Sequence, residues 1–189
     1  MLGFERSFDY DSSYHWQTTE DLKSDIGTHR MQNPAGGLSL KLVNRIIDWK
    51  LRNQRHRTEK HRQLLTAAIW MGVTECAFSV KHTDADILAS VQLSLLAALP
   101  GVGAGLGSAI LALTFPEDHG VIDFRVWKVI FATEKRSFTP KDYVTYLREL
   151  RPLAQETGWS VQKADFMVWS AYDELTKPST RTRRKATKS

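Results

Sequence analysis

Cysteine is all but missing from this chain: Cys76 is the only one in 189 residues. A lone thiol excludes an internal disulfide, a four-cysteine zinc site and an iron–sulfur cluster held by the chain's own thiolates. Long apolar runs are missing too, and a membrane-spanning helix needs roughly 20 consecutive apolar residues. The opening MLGFERSFDYD lacks the basic-then-apolar layout of a secretory signal. No stretch alternates polar and apolar residues for long enough to make a convincing strand. Between Ser90 and Arg125 there is no lysine, and the last fifteen residues hold no acid. These absences lead to the expectation of an intracellular, metal-independent, all-α protein without membrane contact.

What is present supports a packed globule. Apolar residues make up 42% of the chain and aromatic residues 10%, enough for one domain with a real core. The net charge of +5 is unevenly placed. Residues 1–40 carry three basic groups against six acids, whereas residues 41–62 carry eight against Asp48 and Glu59. Clustered cations of this kind mark a polyanion partner or a solvated helix face. Residues 1–37 read as an aromatic-rich arm closed by Asn33-Pro34-Ala35-Gly36-Gly37, and residues 176–189 as a disordered basic tail. Between them, residues 38–175 form the expected all-α domain of about seven or eight helices.

The helix signals follow in order. Leu42, Val43, Ile46, Ile47 and Leu51 repeat at helical spacing. Leu64, Leu65, Ala68 and Ile69 suggest a second helix. A third follows the cap Thr83-Asp84, with Ile87, Leu88, Val91, Leu95 and Leu96 expected inward. Thr139-Pro140 opens a helix with Tyr143, Tyr146, Leu147 and Leu150, and Ser160 caps a last one with Phe166, Trp169 and Tyr172.

The segment Leu99-Pro100-Gly101-Val102-Gly103-Ala104-Gly105-Leu106 sits between two apolar helical patterns. Pro100 stops the first helix, and Gly101 and Gly103 permit a tight turn into the second. This reads as a helix-hairpin-helix. Glycine lets the backbone approach a phosphate, and the N–H groups opening the second helix point at the anion. Such contacts hold the DNA backbone without reading sequence. The plainer alternative is a helical corner kept tight for packing. Downstream, Val121-Ile122-Asp123 precedes an apolar helix, with Asp123 twenty residues after Gly103.

From about Leu95 to Ile130 these residues resemble the helix-hairpin-helix DNA glycosylases, most closely those similar to 8-oxoguanine glycosylases. The resemblance implies a helical glycosylase fold, double-stranded DNA with a flipped-out base as partner, and Asp123 as catalytic carboxylate. It also implies phosphate binding at Gly101, Val102, Gly103 and Gly105, where relatives can hold a monovalent cation; no other cofactor and no metal are expected. A carboxylate facing the sugar stabilises the positive charge that builds as the base leaves, and it can orient a water. Asp is also simply a favoured helix cap. Many relatives carry a nucleophilic lysine in the hairpin, where this chain has Gly105. The expectation is therefore a monofunctional glycosylase that leaves the strand uncut. A non-catalytic DNA-binding module using the same hairpin is the main alternative, and a protein-interaction domain a third.

Weaker candidates complete the reading. Arg125 is expected at phosphate beside the catalytic loop. Trp127, Trp169 and Tyr172 are candidates for the wall of a base pocket. Trp49-Lys50-Leu51-Arg52 sets an aromatic among cations, and Lys50, Arg52 and Arg55 are expected to add nonspecific DNA contact. Lys128 reads as a surface lysine, and His119 lies in the loop before Asp123. The expected form is a monomer in the cytoplasm or nucleoid.

Overall fold

A computed structural model describes residues 10–34 and 36–172, with side chains from His15 onward. Residues 1–9 of the expected arm and the expected basic tail 176–189 lie outside the described residues. Among those described there are nine α-helices and no strand: α1 (Tyr10–Gln32), α2 (Leu40–Leu51), α3 (His56–Arg62), α4 (Ala67–Ser79), α5 (Ala85–Ala97), α6 (Ala104–Thr114), α7 (Phe124–Phe131), α8 (Pro140–Thr157) and α9 (Val161–Ser170). A short 3-10 turn, Arg52–Gln54, follows α2. No described helix is long and apolar enough to cross a membrane.

The centre of the fold is α6. Its sequence, AGLGSAILALT, is apolar on every side, and such a helix is stable only when surrounded. It packs against α1, α2, α5 and α9. Glycine makes one of these contacts possible: a side chain at Gly107 would meet Leu93 Cδ1 at 2.9 Å, so its absence lets α5 and α6 close up. The segment expected to be an arm supplies α1, which lies on α6 and α2 and puts Leu22 and Ile26 into the core.

Several helix starts form as the sequence dictates. Asp84 accepts from the Asp86 and Ile87 N–H groups at the start of α5. Thr139 and Asp142 close a capping box on α8, with Pro140 in its first turn, and Ser160 caps α9. Tyr143, Tyr146, Leu147 and Leu150 are all fully buried.

Two expected helix faces need correction. Leu64 and Leu65 precede α4 rather than belonging to it: Thr66 caps that helix, and Leu64 is 71% exposed. On α5 the inward residues are Ala89, Gln92, Leu93 and Leu96, while Ile87 and Val91 are exposed. Apolar residues ring α5, so periodicity alone does not fix which side turns inward.

Candidate functional site

Asp123 caps α7. Its backbone is extended (φ −145°, ψ 152°), and Oδ1 accepts from the Arg125 N–H at 2.9 Å. Oδ2 accepts from Lys50 Nζ at 3.1 Å. Lys50 comes from the last turn of α2, and the two side chains are 14% and 22% exposed. Burial acts to raise the Asp123 pKa, but the Lys50 ammonium and the Arg125 N–H hold it below the ordinary carboxylate value. The carboxylate is therefore ionised at neutral pH.

The segment that delivers Asp123 is fastened by its own backbone. Gly120 O accepts from Tyr143 OH at 3.1 Å. Val121 N–H donates to Asp165 Oδ2 at 3.0 Å, and Tyr146 OH lies 3.3 Å from Val121 O. Ile122 N–H donates to Ser108 Oγ at 3.1 Å, and that hydroxyl donates on to Gly105 O at 3.1 Å. Tyr146 OH also donates to Asp165 Oδ1. Burial pushes Asp165 up to about 7, against the lowering pull of the Tyr146 and Val121 donors. A non-helical segment buried among α6, α8 and α9 thus has its polar groups met, as buried backbone requires. His119 is part of this scaffold: it is buried, stacks on Tyr143 and has Nδ1 3.0 Å from its hydroxyl. Burial lowers its pKa to about 4, helped by the charge of Arg151, so the ring is neutral.

Asp123 faces a cavity of ≈ 380 Å³, within the range of small-ligand pockets, roughly 300–1,000 Å³. One wall is aromatic: Phe166 and Trp169 of α9 lie 5.9 Å apart, and His15 meets Trp169 edge-on at 6.1 Å. The guanidinium groups of Arg52 and Arg125 lie over Trp169 at 5.9 and 5.4 Å. Thr19, Gln162 and Asp165 add polar groups to the lining. Arg52 takes φ 44°, a backbone state non-glycine residues seldom adopt, as α2 ends at the cavity rim.

The expected site residues divide into three groups. Asp123, Arg125, Trp169, Lys50 and Arg52 all line this cavity. Tyr172 stands beside it, edge-on to Phe124 and 5.6 Å from the Arg125 guanidinium. Trp127 is a correction: it is a core residue, 7% exposed, packed on Phe131 and Phe138 with its indole N–H donating to Thr133 Oγ1 at 3.2 Å. Its position on α7 directs the ring away from the cavity. Arg55 is held by Asp48 and lies 3.7 Å from Glu59, apart from the cavity. Lys128 pairs with Glu134 on the surface.

The hairpin forms between α5 and α6. Gly101 takes φ +75°, and a side chain there would strike Thr58 O at 2.9 Å. Val102 is buried, and its N–H donates to Leu99 O at 3.0 Å. Gly103 caps α6, and a side chain there would enter open space. The first N–H groups of α6 have no acceptor within the helix, as at any helix start. Among the described residues, no cluster of three or more His, Cys, Asp or Glu is placed to hold a metal ion.

Sequence reasoning missed the pairing of Lys50 with Asp123 and the roles of Asp165, Ser108, Tyr143 and Tyr146. Compared with family models, curated proteins and solved structures, the chain finds no significant match.

Proposed function

We propose that this protein is a helix-hairpin-helix DNA glycosylase that breaks the N-glycosidic bond of a damaged or modified base. The observation that carries the reading is an ionised carboxylate, Asp123, held at an open cavity whose wall is aromatic and whose rim is cationic. A base rotated out of the duplex stacks on Trp169 and Phe166, while Arg52 and Arg125 meet its flanking phosphates. As the base leaves, positive charge grows on the sugar, and the half-buried Asp123 carboxylate stabilises it. The hairpin grips the DNA backbone through the N–H groups that open α6, with the helix dipole adding attraction. A side chain filling the cavity would favour the non-catalytic module; the open cavity favours the enzyme.

Single-turnover incubation with duplexes bearing oxidised, alkylated, deaminated and otherwise modified bases tests this. Release of a free base by the wild type, lost in Asp123→Asn while DNA binding persists, is the expected result. Salt-sensitive DNA binding with no base released from any duplex would instead establish a binding module.

A further inference from the structure

Lys50 is the feature the proposed reaction leaves unused. It reaches the cavity from α2, a helix apart from the hairpin, and lies 3.1 Å from the carboxylate of Asp123. Its stem runs past the start of α6: a side chain at Gly105 would begin 3.9 Å from Lys50 Cε. Gly105 thus lies beside the lysine stem, where a methyl would make ordinary contact and a longer side chain would crowd the head. Lys50 and Asp123 thus present an amine and a carboxylate to the same cavity.

We propose that Lys50 is the nucleophile of this site and that the protein cuts the strand after removing the base. This rests on the glycosylase reading above, and it replaces the expectation of simple hydrolysis. The Lys50 ammonium first gives a proton to the departing base, so the C1′–N bond breaks with its electron pair on the base while the ionised Asp123 stabilises the sugar cation. The amine left on Lys50 bonds through Nζ to C1′, and Asp123 then accepts a proton from that nitrogen. The nitrogen lone pair then opens the C1′–O4′ bond; O4′ gains a proton from Asp123 and an imine joins Lys50 to the sugar. Loss of the 2′ proton to water expels the 3′ phosphate and severs the strand. Hydrolysis of the imine returns Lys50 and an unsaturated aldehyde. No oxidant or metal enters the balance.

A duplex with a preformed abasic site tests the amine without knowledge of the base, because its open-chain aldehyde condenses with an amine by losing water. Full-length wild type, Lys50→Arg and Lys50→Gln are incubated with it, reduced with borohydride, and digested for peptide mass mapping. The expected result is a covalent adduct mapped to residue 50, strand scission without alkali, and a loss of both of roughly 100-fold or more in each variant. Lys50→Arg keeps the charge beside Asp123 yet cannot form an imine, so it separates chemistry from an electrostatic or structural role. An adduct mapped only to other lysines, or scission retained in Lys50→Arg, overturns the proposal. Base release from a modified duplex with no adduct and with alkali needed for cleavage overturns it while sparing the glycosylase reading. Failure of the wild type to bind DNA overturns both.

Discussion

Replacing Asp123 by asparagine separates the structural duty of this carboxylate from the catalytic duty proposed for it. Asparagine caps helices about as well as aspartate, so the start of α7 survives. The ion pair with Lys50 is lost. Exposed pairs contribute about 0.2–1 kcal/mol, and breaking a fully buried pair costs about 3–5 kcal/mol. With exposures of 14% and 22%, the Lys50–Asp123 pair falls between, at about 1–2 kcal/mol. For a domain of this size that is a fall in Tm of roughly 2–8 °C. The loss of sugar-charge stabilisation is larger, about 3–4 kcal/mol, or 10²–10³-fold in single-turnover rate. The pH dependence has a definite sign. Because the folded pKa of Asp123 lies below the unfolded value of 3.8, its contribution is complete above that pH and disappears as pH falls through the lowered value. Thermal melts of wild type and variant should therefore differ at pH 7 and converge in strong acid, while base release is assayed in parallel at neutral pH. A variant as stable as the wild type at pH 7 would refute the ion-pair argument. A variant that releases base at the wild-type rate would refute the role of Asp123.

Three further outcomes follow from the same geometry. Gly103→Asp places a negative charge at the start of α6 in open space, so duplex affinity should fall about 10-fold with Tm unchanged, as read by fluorescence anisotropy and melting. Gly105→Ala brings a methyl only to ordinary contact with Lys50 Cε and should preserve adduct formation, whereas Gly105→Leu should displace the lysine head and reduce it, measured by borohydride trapping. His119, with a folded pKa of about 4 against 6.5 unfolded, gives stability that is complete above pH 6.5 and is lost as pH falls toward 4, about 3 kcal/mol in all. Denaturant unfolding of His119→Gln across that range should show a flatter pH slope than the wild type.

How much was legible depended on whether a signal was local. Asp84, Thr139-Pro140 and Ser160 mark helix starts because a cap acts on N–H groups two or three residues away. The hairpin was equally legible, since proline and glycine punctuate the chain where it turns. The long helix α1 was not: Leu22 and Ile26 are its buried aliphatic residues in an otherwise polar sequence, and two such positions make no visible stripe. The inward side of α5 was hidden for the opposite reason, its apolar residues being spread around the helix. The place of Asp123 as a helix cap was legible because it follows a recognisable turn and opens an apolar helix. Its partner Lys50 is 73 residues away, and only the packing of α2 against α6 brings the two together. Trp127 misled because proximity in sequence to Asp123 does not fix which face of α7 a ring occupies.

Under the proposed glycosylase reading, α9 ties recognition to reactivity. Asp165 clamps the chain just before Asp123, and one and four residues further on Phe166 and Trp169 make the aromatic wall. A single rigid element therefore gauges both the width of the slot and the stance of the acid beneath it. Sliding α9 to admit a bulkier base would drag Val121, and with it Asp123, off its setting. On that reading a change of preferred base comes from swapping side chains on a stationary helix, or from the α1 and α2 side of the cavity, where His15 and Arg52 stand apart from the clamp.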